Sequence, residues 1–225
     1  MTDSASGFTL LELFVLGGAL MWPLLLFSIA AIALILERII YLLRHNLVME
    51  DLKLKIEELL LAGKYKEAET FLEGQTEHRM GARILLVLVK RAGEGGKISE
   101  RLLEKAVEAE AITCINSLES GFNFLTALAA LSPLTGFLGT VTGMIGAFRS
   151  IAEAVDVNAQ IVANGIYEAL ITTVFGLIIA IAAMAAHSIF SHIVDKFAAD
   201  VEKTCSDLII EIVERGTVEE GYHES

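Results

Sequence analysis

Charged side chains are missing from three stretches of this 225-residue chain: residues 13–36, 120–148 and 169–194 hold no Asp, Glu, Lys or Arg. Their 24, 29 and 26 residues would make α-helices of roughly 36, 43 and 39 Å, against a bilayer hydrocarbon core of about 30 Å. With 54% hydrophobic residues overall, the chain is excluded from the ordinary water-soluble class. Cysteine is scarce. Cys114 and Cys205 are the only two, too few and too far apart for a metal motif, and both fall in segments predicted to face a reducing compartment, so no disulfide is expected. There is no HExxH, no GxSxG and no Walker phosphate loop, and GEGG at 93–96 follows a helical pattern rather than a strand. The sequence predicts no enzyme, no cofactor and no catalytic residue.

Lys and Arg are also absent from the first 12 residues, which excludes the basic leader of a cleaved signal peptide and predicts a retained helix. Thirteen of the 17 basic residues lie between 37 and 119, Arg149 stands alone in the loop 149–168, and Lys196, Lys203 and Arg215 follow 194. The positive-inside rule then predicts a membrane protein with its N-terminus outside and its C-terminus cytoplasmic. The predicted order is a short outer N-terminus (1–12), transmembrane helix 1 (13–36), a cytoplasmic helical region (37–119), transmembrane helix 2 (120–148), an outer loop (149–168), transmembrane helix 3 (169–194) and a cytoplasmic helix with an acidic tail (195–225). The fold class is all-α membrane protein, three transmembrane helices, the second and third long and extended into a helical cytoplasmic region. A formal charge of −12 argues against nucleic-acid binding.

Within the charged region, 49–62, 65–73 and 80–91 each carry helical apolar spacing, punctuated by Gly63, Gly74 and Gly81. Ser99 is a plausible N-cap for a helix that meets no strong breaker until Pro133, where a bend is expected. Beyond 194, Phe197, Val201, Cys205, Leu208 and Ile212 step by four, four, three and four. That seam fits either packing within one subunit or self-association.

What fills the uncharged runs is small and hydroxylic. Gly136, Gly139, Gly143 and Gly146 recur at helical spacing, and Gly176 continues the pattern in the third run; small residues at such spacing let helices pack closely in lipid. At about 100° per residue, Thr140 shares a face with Gly136, Gly143 and Ala147, and Thr173 shares one with Ala169, Gly176, Ala180 and His187. Counting inward from Arg149 and Glu168 puts the two hydroxyls at a comparable level. Packing alone accounts for such stripes, because membrane threonines commonly bond their own helix. A threonine does not carry a proton near neutral pH, and no carboxylate lies inside any run. If protons move here, another chain must supply the carrier, with Glu168 the one acid close by. His187 and His192 near the inner end are titratable, with polar packing as their simpler reading.

At these motifs the chain resembles the MotA/TolQ/ExbB proton-channel family, most similar to its ExbB branch. The resemblance runs through SPLTGFLGTVTGMIGAF at 132–148, GIYEALITTVFGLIIAIAA at 165–183 and MWPLLLFSIAAIALILERIIYL at 21–42. It implies a ring, typically a homopentamer, around an ExbD-like single-span partner with a membrane Asp. It further implies a motor driven by the proton-motive force that energises a TonB-like protein for outer-membrane transport. By motif match, Thr140 in GTVTG and Thr173 in TTVFGL correspond to the family's pore threonines, and Glu168 in GIYEAL to its outer acid. Two departures stand out: Ala182 where the family often has proline, and Thr135 where an aliphatic residue is usual. The three-helix count disfavours a MotA-like flagellar stator. Two other readings are a TolQ-like subunit for envelope integrity or constriction, and a non-conducting membrane scaffold.

Overall fold

The computed structural model describes residues 10–93, 100–153 and 159–223, and these form eight helices and no strand. They are α1 (Leu10–Leu16), α2 (Met21–Arg44), α3 (Glu50–Leu61), α4 (Tyr65–Glu73), α5 (Met80–Gly93), α6 (Glu100–Glu119), α7 (Phe122–Glu153) and α8 (Ala159–His223). The expected N-cap Ser99 and the 94–96 part of GEGG lie outside the described residues. Three helical stretches are long and apolar enough to cross a membrane: α2, the α6–α7 stretch, and α8. Only 17% of the most apolar window of α2 is buried within the chain, so lipid or other protein must cover the rest.

The chain divides into two compact units. The first takes residues up to Glu37 and Gly121–Ile189, that is α1, most of α2, α7 and the first half of α8. Met21, Leu24 and Ala31 of α2 pack against Ile171 and Ile179 of α8, flanked by Phe27 and Phe175. The uncharged run 13–36 is not one helix here. It is divided between α1 and α2 by a turn in which Gly18 has φ +69°, a left-handed conformation that a side-chain-bearing residue adopts only with strain.

The second unit comprises Arg38–Ser120 and the chain from Phe190 onward. Leu52, Ile56 and Leu60 of α3, Leu72 of α4, and Ile84, Leu85 and Leu88 of α5 are all buried, as their helical spacing anticipates. The seam Phe197, Val201, Cys205, Leu208 and Ile212 is buried as well. It is therefore spent on packing within one subunit. α8 also runs on as helix to His223, where the sequence reading has it give way to a frayed acidic tail.

The helix expected from 99 through the second uncharged run is broken, and the break is not at Pro133. Gly121 has φ +86° and separates α6 from α7, whereas Pro133 sits inside α7. A helix that stops leaves its last carbonyls without partners. Here Arg38, only 7% exposed, donates from Nη1 to the carbonyls of Ser117 and Leu118, both at 3.3 Å. A cation at a helix C-terminus is also favoured by the helix dipole. The Arg38 guanidinium lies 4.9 Å from the Tyr41 ring centre, which adds a cation–π contact. Replacing Arg38 with Leu is expected to cost about 2 kcal/mol or more through the two stranded carbonyls, read as a lowered thermal midpoint of the detergent-solubilised protein.

Both cysteines are buried and free. Burial pushes the Cys114 thiol up to about 11 and the Cys205 thiol up to about 12. A raised thiol pKa keeps the neutral form at working pH, leaving a thiolate fraction of about a thousandth or less at pH 8. Iodoacetamide at pH 8 is expected to leave both unmodified in the native protein and to label both in dodecyl sulfate, as read by intact mass.

Candidate functional site

The candidate site lies along the contact of α7 with α8 in the first unit, and glycines create it. A Cβ on Gly136 would stand 2.8 Å from the Thr172 carbonyl oxygen and 3.0 Å from the Thr173 Cα. One on Gly176 would reach 2.5 Å from the Ser132 carbonyl oxygen, and one on Gly143 3.0 Å from that of Gly165. A Cβ on Gly139 would overlap the Thr172 hydroxyl. At Gly136, Gly143 and Gly176 the two backbones touch because no side chain stands between them, and at Gly139 the Thr172 side chain takes the space. Gly146 behaves differently: nothing lies within 4 Å of a Cβ placed there, so it takes no part in this contact. Gly165 of α8 belongs to the seam in its place, facing Ala147.

Thr172 and Thr173 sit on this seam. Thr172, 1% exposed, donates to the carbonyl of Ala169 at 2.9 Å and more weakly to that of Gly136 at 3.3 Å. The half-buried Thr173 donates across the helix pair to the Gly136 carbonyl at 3.1 Å. Thr140, also half-buried, donates to its own helix at Phe137, 2.7 Å away. In the α-helical ladder the Gly136 carbonyl also accepts from the Thr140 amide four residues on. Thr140 and Thr173 are thus connected through the Gly136 carbonyl, and their hydroxyls bond to the carbonyls of consecutive residues of α7, Phe137 and Gly136.

One sequence expectation changes at this point. Glu168 is not at the edge of a loop, because α7 extends to Glu153 and α8 starts at Ala159. It lies in the third turn of α8 with its carboxylate against Gly18, where any Cβ would overlap it. There Glu168 lines a cleft of about 800 Å³ with Thr142, Ser150 and Asn164, a lining that includes neither Thr140 nor Thr173. The described residues of the first unit therefore carry two separate polar regions, the threonine seam and the Glu168 cleft.

Thr172 is the residue that sequence reasoning passed over. Its signal was present, since the 172–173 pair and Gly139 both stand in the quoted motifs, but helical phase alone did not say which threonine faces α7. Farther along α8, the His187 ring lies edge-on to Phe122, 5.7 Å between centres, which is an aromatic packing role. Among the described residues no group of three or more His, Cys, Asp or Glu side chains is placed to hold a metal ion.

Residues 68–203 match the MotA/TolQ/ExbB proton channel family. The chain belongs to this family. The matched span contains Thr140, Thr172, Thr173, Glu168 and every glycine of the seam, so the family's defining region and the candidate site coincide. The chain is 34% identical over 202 residues to the biopolymer transport protein ExbB-like 1 of Synechocystis sp., covering 84% of this chain and 75% of that protein. It is 29% identical to the biopolymer transport protein exbB1 of Vibrio cholerae over 193 residues, 83% of this chain and 81% of that one. Its similarity to the Tol-Pal system protein TolQ of Haemophilus influenzae is higher but shorter, 45% over 74 residues, 33% of this chain and 32% of the other.

The seam separates its glycines experimentally. Gly139→Val is expected to lower the thermal midpoint through an overpacking cost of about 1–3 kcal/mol. Gly146→Ala should leave it within about 1 kcal/mol of the parent, since it meets only open space.

Proposed function

We propose that this chain is the ring-forming subunit of a proton-motive-force-driven motor of the ExbB type, in which the α7–α8 seam lines the ion pathway. The observation that carries this reading is the Thr173 hydroxyl bridging to the Gly136 carbonyl on a helix pair that holds no acid within its uncharged runs. Such a site offers hydroxyl oxygens to order water or a carrier, and it lacks the carrier. The reading therefore assigns the proton-binding group to a membrane Asp on an ExbD-like single-span partner, with copies of this chain, five in the family's usual form, arranged around it. A TonB-like protein would take up the work.

In this reading the apolar parts of α2, α7 and α8 cross the bacterial inner membrane. The Lys/Arg-rich segment between α2 and α7 and the C-terminus are cytoplasmic, and the N-terminus and the 149–168 region are periplasmic, in keeping with the positive-inside rule. Glu168 then lies on the outer side, in its own cleft, as an entry group rather than a member of the threonine pair. The local similarity to TolQ favours one second reading, a subunit serving envelope integrity. The two separate by whether the gene restores TonB-dependent uptake or envelope integrity to a strain lacking both systems.

Thr173→Val removes the hydroxyl and keeps the shape, whereas Thr173→Ser keeps the hydroxyl. In proteoliposomes holding the complex with its co-expressed partner, the Val variant is expected to lower proton flux by about tenfold or more, a loss of about 1.4 kcal/mol. The Ser variant should stay within a few-fold of the parent, with the mass of the complex unchanged in both. Full flux in an assembled Val variant would overturn the pathway role and leave the non-conducting scaffold.

A further inference from the structure

A second polar groove lies in the other unit, where the uncharged run of α8 ends. It encloses about 750 Å³ and is lined by the 47–50 stretch and Lys53 on one side and by α8 from His192 to Thr204 on the other. Its α8 wall is ordered. His192, Lys196, Asp200 and Thr204 follow at steps of four, which places them on one face, each about 6 Å beyond the last. Leu47, Val48 and Ile193 belong to the groove's apolar lining, Ile193 being the last residue but one of that run, and Val48 is 53% exposed. Moving away from the uncharged run, the wall reads apolar, cationic, anionic and then hydroxyl.

The pairing state of these groups is informative. Lys53 is already held by Asp207 at 2.5 Å. Lys196 and Asp200 are exposed and, among the described residues, form no ion pair with each other or with any other group. Thr204 is 5% exposed, and among the described residues its hydroxyl finds no carbonyl to donate to. Thr70, Thr113 and Thr126, for comparison, each bond four residues back. A helical threonine with its usual acceptor within reach and unused keeps its hydroxyl available to something else.

We propose that this groove binds the headgroup of a zwitterionic aminophospholipid of the phosphatidylethanolamine class, in the leaflet at the C-terminal end of the α8 span. The charge order is the argument. In such a lipid the phosphate lies nearer the hydrocarbon and the ammonium one ethylene linker farther out. Lys196, with the His192 ring beside it, meets the phosphate. Asp200, with Glu50 across the groove and the Thr204 hydroxyl beyond, accepts from the ammonium. Leu47, Val48 and Ile193 take the start of an acyl chain. Lys203, the remaining cation of the lining, sits about 60° round the helix from Asp200 and about 100° from Thr204, to the side of the row that meets the headgroup. A purely anionic lipid would gain Lys196 but leave Asp200 and Glu50 facing like charge, so the same wall discriminates between the two. The proposal needs α8 to cross the bilayer and is independent of the ion pathway.

The test uses the full-length protein in mild detergent, titrated with phosphatidylethanolamine or phosphatidylglycerol of the same acyl chains and read by native mass spectrometry as lipids bound per protomer. The parent is expected to favour phosphatidylethanolamine by about three- to tenfold, the scale of one or two partly exposed charge pairs. Lys196→Gln should weaken that binding about threefold, and Asp200→Lys should reverse the preference toward phosphatidylglycerol. Both positions are exposed, so the thermal midpoint serves as the folding control, with Glu50→Lys as a second way to remove a carboxylate. Equal retention of both lipids by the parent, a parental preference for phosphatidylglycerol, or variants that change the oligomer mass but not the lipid count would each overturn the proposal. The last result would make the groove a contact between copies of this chain.

Discussion

Two helices that lie side by side in hydrocarbon face a double constraint. No water is present to satisfy an exposed carbonyl or hydroxyl, and burying leucine against leucine gains little that lipid tails do not already provide. The seam between α7 and α8 answers both demands in one arrangement. Gly136, Gly143, Gly165 and Gly176 remove the side chains that would hold the backbones apart. The backbones then come near enough for the hydroxyls of Thr172 and Thr173 to reach a carbonyl on the other helix. Dispersion contacts and cross-helix hydrogen bonds thus depend on the same absent Cβ atoms. A larger residue at any of these positions would remove both together.

The arrangement also bears on what the threonines can do. Each hydroxyl has one proton, and those of Thr140, Thr172 and Thr173 are committed to carbonyl oxygens. What remains is acceptor capacity, since a hydroxyl has two lone pairs. A row of acceptors suits a passing donor, such as water or a protonated acid, better than it suits an anion. This agrees with a family of proton channels and with runs from which every fixed charge has been left out.

Much of the fold was legible because periodicity reports burial. Leu52, Ile56 and Leu60, or Phe197, Val201 and Leu208, recur at helical spacing and are buried on that account. The breaks were less legible. Gly121 and Gly18 are single glycines in apolar surroundings rich in glycine, and nothing local distinguishes a glycine that turns the chain from one that packs a helix. Pro133 looked the stronger breaker, yet α7 accommodates it. At the site, spacing picked out the glycines and Thr173 but passed over Thr172, because helical phase does not give the register of α7 on α8. That register is a tertiary property, and it seats the Thr172 side chain against Gly139 and Glu168 in a cleft of its own. The Arg38 cap was equally out of reach, since it joins residues 79 and 80 positions apart.

The turn between α1 and α2 has a consequence for how such sequences diverge. Position 18 is restricted twice, by a left-handed backbone and by a carboxylate that occupies the place of its missing side chain. Relaxing either restriction alone gains nothing. A descendant with Asn at 18, a residue that tolerates the backbone angle, would still collide with Glu168 unless that side chain shortened or turned away. Positions 18 and 168 should therefore change as a pair or not at all. The mutual dependence links the turn before α2 to an acid in the third turn of α8 across 150 residues of sequence, and it would appear in a collection of relatives as covariation rather than as two separate preferences.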